Sequence, residues 1–325
     1  MSVRGWLLLG AMSIIWGIPY LLIKIAVDGV SVPVLVLART AVGAAVLLPL
    51  VMSRAAWAPV LRHWRPVLAF AFFEIIAAWF LLSDAERHLS SSLTGLLIAT
   101  APIIAAVLDR LTGGERLSAK RITGLGIGLA GVAVLAGPGL TGGHGWPIAE
   151  VLLVAACYAI APLIAARYLG DVPALPLTAA CLTIAALIYT TPALLTWPDQ
   201  MPSRRVLIAL AALAVICTAL AFVVFFALIR EVGGARALVF TYVNPAVALA
   251  AGVIVLGEPL TVYNVAGLAL ILAGSILATR TPRDPDPQIE AEVSPTMATR
   301  SDPDSTRARD TGAGAVTGSS GWRSK

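Results

Sequence analysis

Ten nearly unbroken apolar runs, each close to 20 residues long, fill this chain at 6–25, 33–52, 66–83, 91–109, 121–137, 148–167, 174–195, 206–229, 235–256 and 262–279. About 20 apolar residues of α-helix cross the roughly 30 Å hydrocarbon core of a bilayer. The runs are continuous rather than alternating, which excludes the strands of a membrane barrel. Only 13% of the residues are charged, 58% are apolar and the mean hydropathy is +0.88, whereas a soluble domain carries about 25% charge. The expected fold is therefore an all-α integral membrane protein of ten transmembrane helices. The first run follows Arg4 and superficially resembles a signal peptide, but it is too long and no small-x-small cleavage site follows it. With Lys24 and Asp28 leading straight into the next run, it reads as a retained first helix. Residues 280–325 are rich in Pro, Asp, Ser, Thr, Arg and Gly, with too little apolar surface to fold, and are expected to form a disordered cytoplasmic tail.

Shifting the chain by 143 residues without a gap brings out an internal repeat. Pro19 falls on Pro162, Pro33 on Pro176, Pro49 on Pro192, Pro59 on Pro202 and Pro102 on Pro245. Asp28 meets Asp171, Arg62 meets Arg205, Arg87 meets Arg230, and Gly114–Glu115 meets Gly257–Glu258. Proline registry is hard to obtain by accident, so two homologous units are expected at 6–137 and 148–279, joined by a glycine-rich linker at 138–147. Five helices per unit is an odd number. The second unit then starts on the opposite side of the membrane, and the halves form an inverted repeat of the kind found in secondary transporters.

Charge sets the orientation. Thirteen Lys and Arg residues, among them Arg4, Arg54, Arg62, Arg110, Arg116, Lys120, Arg167 and Arg236, fall on the side of the N-terminus, against Lys24, Arg87, Arg204 and Arg205 on the other. The positive-inside rule places both termini in the cytoplasm of a cell inner membrane. The formal charge of +5 does not signal nucleic acid, because no basic stripe with interleaved aromatics exists. His63, His88 and His144 fall in loops, and Cys157, Cys181 and Cys217 lie singly inside apolar runs, so neither a metal nor another cofactor is expected.

The motifs narrow this further. The first run reads Trp16-Gly17-Ile18-Pro19-Tyr20-Leu21-Leu22-Ile23-Lys24, an arginine, Arg39, stands early in the second, and Gly114-Glu115-Arg116-Leu117-Ser118 and Gly257-Glu258-Pro259-Leu260-Thr261 close the fourth and ninth. In these features the chain resembles the drug/metabolite transporter superfamily, in particular the ten-helix EamA family. The resemblance covers both halves and not the tail. It implies a metabolite or drug exporter without naming the compound. Cys157-Tyr158-Ala159 departs from the Trp-Gly-like pair that many members repeat in the sixth helix.

Several polar residues stand where lipid makes them costly. Glu74 lies in the middle of the third run, where a charge costs about 2.5–3.5 kcal/mol. On a helical wheel Ala71, Ala77 and Ala78 surround it and Phe72, Ile76 and Trp79 point the other way. It reads as a proton site, a counter-charge for a cationic substrate, or a structural carboxyl. Arg39 and Lys24 could attract an anionic substrate or snorkel to the interface. Pro102 and Pro245 free the carbonyls of Ile98 and Thr241; Tyr242 and Asn244 at the second break line a cavity or merely satisfy a kink. Trp16, Trp79 and Tyr158 read as cavity aromatics or as core. Glu115 and Glu258 read as caps for the helices that follow them. Gly124, Gly128 and Gly131, with Gly267 and Gly274, read as close packing within one chain rather than between two.

The function expected is alternating-access export of a small molecule, with protons as a candidate coupling ion and a monomer or homodimer in the bilayer. A passive channel is the alternative. An intramembrane enzyme ranks lower, because no His-Glu-x-x-His or Gly-x-Ser-x-Gly motif is present, and a Gly-x4-Gly-Lys-Ser/Thr nucleotide loop is absent as well.

Overall fold

A computed structural model describes residues 2–51, 54–112, 118–141 and 143–279. The Gly114–Glu115 junction and the tail at 280–325 lie outside the described residues. Among the described residues the chain is helical throughout, with no strand. The helices are α1 (Val3–Ile15), α2 (Pro19–Ala26), α3 (Val32–Leu47), α4 (Arg54–Arg62), α5 (Trp64–Ala71), α6 (Ala77–Ala85), α7 (Ser91–Ile98) and α8 (Ala101–Leu111). They continue as α9 (Ala119–Thr141), α10 (Gly145–Tyr168), α11 (Ala174–Leu195), α12 (Arg204–Ala214), α13 (Ala221–Val232), α14 (Gly234–Ala237), α15 (Asn244–Leu256) and α16 (Val262–Thr279). Eight stretches are long and apolar enough to cross a membrane; Asn244–Leu256 and Val262–Leu277 are shorter apolar helices.

Serine and proline set the helix starts. Ser2, Ser31, Ser90 and Ser203 each accept a backbone N–H of the first turn with their side chains, the usual chemistry of an N-cap. Pro19, Pro33, Pro102 and Pro245 occupy the first two helical positions of α2, α3, α8 and α15, where their missing N–H costs nothing. Pro102 and Pro245 therefore begin new half-helices. The fourth run is two helices, α7 and α8, parted at Ala99 and Thr100. The ninth passes through a 3-10 turn, Leu238–Tyr242, before α15. Ser275 on α16 donates to the carbonyl of Ala99 at 3.3 Å, satisfying a group the break leaves open.

Two π-helical stretches join the remaining half-helices: Phe72–Ile76 between α5 and α6, and Val215–Leu220 between α12 and α13. Their first residues are separated by the repeat offset of 143, as are the first residues of α8 and α15. α4 is an additional helix, within a segment expected to be loop.

The largest helix contacts run between α9 and α16, α3 and α11, α7 and α15, and α6 and α10, followed by α2 on α12, and then α1 on α13 and α8 on α10. α9 and α16 meet through glycine. A Cβ on Gly274 would strike the backbone of Gly124 and Gly128, so the predicted small faces do pack on each other within the chain. Leu7, Leu187, Leu195 and Ile254 remain at least 70% exposed, an apolar exterior suited to lipid rather than water.

Candidate substrate and coupling site

Arg39 sits two turns into α3 and is 4% exposed. Its guanidinium lies 3.8 Å from the centroid of the Trp79 ring, and its Nε donates to Thr218 Oγ1 at 3.4 Å. Nη1 is buried and has no partner among the described residues. A buried cation stripped of water needs either compensation or a ligand, and an aromatic face supplies part of the first. Both π turns contribute to this arrangement. A π turn holds one extra residue and rotates the helix beyond it by about 100°. On a regular wheel Trp79 points away from Glu74 and its alanine neighbours. With the turn at Phe72–Ile76 it is 7% exposed and lies beneath Arg39. In the second turn Thr218 donates to the carbonyl of Leu213, five residues back, at 2.9 Å and so presents its oxygen to Arg39.

Glu74 lies within the first π turn, half-buried, with Ala71 and Ala78 fully buried beside it. Its carboxylate is in electrostatic reach of Cys157 and Tyr158 on α10 and of Cys181 on α11. Tyr158 is also in reach of Arg39 and Tyr20. Arg39 and Glu74 thus both reach one tyrosine electrostatically, with the cation and carboxylate on helices of the first half and Tyr158 on a helix of the second.

Lys24 is partly buried near the end of α2, and its Nζ donates to the backbone carbonyl of Glu86 at 2.7 Å. It ties α2 to the end of α6 instead of projecting to the interface. Glu86 is fully buried, and neither carboxylate oxygen has a partner among the described residues. Lys24, Glu258 and Arg39 are its charged neighbours. In the sequence Glu86 falls between the third and fourth apolar runs, with Asp84, Arg87 and His88 around it. Its apolar flanks Ala85 and Leu89 are both buried, the one signal in the sequence that this segment turns inward.

Glu258 is a cap, as its position suggested, but of a different helix. Its Oε1 accepts from Ser91 N at 2.7 Å and Ser91 Oγ at 3.0 Å; its Oε2 accepts from Ser92 N at 2.9 Å and, very closely, from Ser92 Oγ. The carboxylate sits at the N-terminus of α7, in the other half, rather than on α16 which follows it. Gly257 makes this possible: at φ +66° it ends α15 in the left-handed conformation and turns the chain back. A Cβ on Gly252 would strike Glu258 Oε2 and both serine hydroxyls.

The remaining candidates belong to a separate cluster. Trp16, where α1 breaks from α2, packs against Phe225 at 5.0 Å, Phe240 at 5.1 Å and Phe222 at 6.0 Å between ring centroids. Asn244, with its amide nitrogen toward them, donates to the carbonyls of Phe240 at 3.0 Å and Ser13 at 3.1 Å, which joins the α1 break to the start of α15. Tyr242 is half-buried at the end of the 3-10 turn. Trp16 and Asn244 thus pack and hydrogen-bond at the α1–α2 break.

These broken helices around buried charge, in a largely apolar exterior, define the chain as a multi-pass membrane protein with a polar interior. Family comparison identifies it further: residues 3–137 and 145–280 each match the EamA-like transporter family, and the chain belongs to that family. An uncharacterized transporter of Archaeoglobus fulgidus is 25% identical over 86% of this chain and 99% of its own length. A probable terminal-alkyne amino-acid exporter of Streptantibioticus cattleyicolor is 28% identical over 82% of this chain and 90% of its own. A crystal structure 20% identical in sequence shares the fold at a TM-score of 0.62, covering 86% of this chain and 98% of that one.

Proposed function

We propose that the chain is a secondary transporter of the cytoplasmic membrane that exports a small zwitterionic metabolite of the amino-acid class by alternating access. The observation that carries this reading is the buried guanidinium of Arg39, with Nη1 unpartnered, in the same interior as the Glu74 carboxylate, both within electrostatic reach of Tyr158. A solute carboxylate completes Arg39, a solute ammonium completes Glu74, and Trp79 and Tyr158 cover the apolar remainder. The name of the Streptantibioticus cattleyicolor relative points to the same class of solute.

The architecture supports alternating access. In this reading Asn244–Leu256 and Val262–Leu277, with the segments that lead into them, complete ten crossings in two inverted halves. The pairings of α3 with α11 and of α9 with α16 each join an element to its repeat partner, the contacts of α6 with α10 and of α13 with α1 are exchanged by the repeat offset, and the two π turns fall at matching positions. A two-fold axis in the membrane plane produces this pattern and lets one half rock against the other.

The test is counterflow in proteoliposomes with a labelled mixture of the common amino acids. Saturable counterflow, inhibited by amino acids and not by the matching decarboxylated amines or deaminated acids, is expected. It should fall sharply in Arg39→Ala and in Glu74→Gln. Equal inhibition by amines and acids would show that the site does not read both charges, and linear, non-saturable flux would favour a channel.

A further inference from the structure

The Arg39 and Glu74 site leaves one fully buried carboxyl unused. Glu86 closes α6, on the face of the protein where Glu258 seats on α7 and Lys24 ends α2. Two acids stand there in opposite conditions. Glu258 receives four donors at a helix N-terminus, an environment built for an anion. Glu86 is fully buried and has no donor on either oxygen among the described residues. An ionised carboxylate without water or donors is costly, so the neutral acid is the form that suits this site. The groups facing it are Lys24 and Tyr20 from α2, Arg39 from α3 and Glu258 from the turn between α15 and α16. Lys24 spends one donor on the Glu86 carbonyl and stands ready for the carboxylate should it ionise.

Resting on the transporter reading, we propose that the Glu86 carboxyl is the coupling-proton site, and that the face carrying Glu258 closes onto α7 only when Glu86 holds a proton. By the charge asymmetry this is the outer face. With the Glu258–Ser91–Ser92 contact open, water reaches Glu86, which takes a proton from a hydronium ion outside; one O–H bond of the hydronium breaks as one forms on Glu86, and water is left behind. Closure then buries a neutral acid. When the inner side opens, water that reaches Arg39 also reaches its neighbour Glu86. The same O–H bond breaks, the proton passes to the inner water, and Lys24 and Arg39 hold the anion. One proton enters for each outer closure, and its return path is tied to the opening that loads the substrate.

Glu86→Gln holds the site permanently in its neutral shape. The full-length protein in proteoliposomes, with the labelled amino-acid mixture as probe, separates two activities. At equal pH on both sides, Glu86→Gln is expected to keep counterflow close to the parent's. Under an imposed pH gradient it should lose accumulation of the probe, and the accompanying proton flux read by a trapped pH dye should vanish. Accumulation and proton flux equal to the parent's would overturn the proposal and leave the transporter reading standing. Absence of saturable counterflow in the parent would remove both. Should Glu86→Gln fail to insert, Glu86→Asp retains a titrating acid on a shorter arm. It is expected to accumulate the probe with a displaced pH profile, and an unmoved profile would overturn the proposal.

Discussion

The guanidinium of Arg39 on α3 lies 3.8 Å from the centroid of the Trp79 ring on α6, which follows directly on the π turn at Phe72–Ile76. Lysine would keep the charge but lose the planar stack and the Nε bond to Thr218. Arg39→Lys is expected to weaken binding by about 1–2 kcal/mol, or roughly 5–30-fold in the half-saturating substrate concentration. Counterflow titrations in proteoliposomes measure it. An unchanged half-saturation would move the substrate away from Arg39.

Gly274 and the Gly124–Gly128 turn bring α16 and α9 into backbone contact. Gly274→Leu must push the helices apart and is expected to destabilise the protein by about 1–3 kcal/mol. The thermal midpoint in detergent should fall accordingly. Gly126 on α9 has nothing within reach of an added Cβ, so Gly126→Leu should leave the midpoint unchanged.

The charge asymmetry predicts which ends face outward. Met201, 86% exposed between α11 and α12, should lie outside, and Lys120, at the start of α9, inside. The native Cys157, Cys181 and Cys217 are all buried and should stay silent toward a membrane-impermeant maleimide. Met201→Cys should label on intact cells and Lys120→Cys only after permeabilisation. The reverse pattern would invert the topology.

Arg62 donates to Asp171 at 2.7 Å, with His63 Nε2 3.7 Å from the same carboxylate. The hydrogen bond from Arg62 holds the Asp171 carboxyl below its ordinary range. The sign follows from linkage: the interaction is complete above the ordinary aspartate range and is lost as the pH falls through the lowered value. Both side chains are at least half exposed, so solvent and salt screen the pair. Arg62→Ala should therefore raise the Asp171 titration seen by carbon-13 NMR while leaving the thermal midpoint at neutral pH unmoved. A clear drop in that midpoint would show that the pair fastens α4 to the turn before α11.

Much of the frame was written in one dimension. Apolar runs of bilayer length mark the membrane helices, because lipid offers no partner to an exposed backbone. The starts of α2, α8 and α15 follow from Pro19, Pro102 and Pro245, whose chemistry is local. The glycines of α9 and α16 signalled close approach for the same reason. Arg39, Glu74, Trp79 and Tyr158 stood out as polar or aromatic residues in apolar company, but their grouping did not. The two π turns have no proline or glycine to announce them, and each rotates half a helix, so the wheel that set Trp79 against Glu74 could not show Arg39 resting on it. Glu258 was legible as a cap and not as a cap for α7, since its partners stand 166 and 167 positions earlier and only folding brings them near. Glu86 was hidden most completely. Its neighbours in sequence are charged and loop-like, and what makes it unusual is that no donor among the described residues meets either oxygen of the buried carboxyl, a property of the surrounding helices that no stretch of sequence contains.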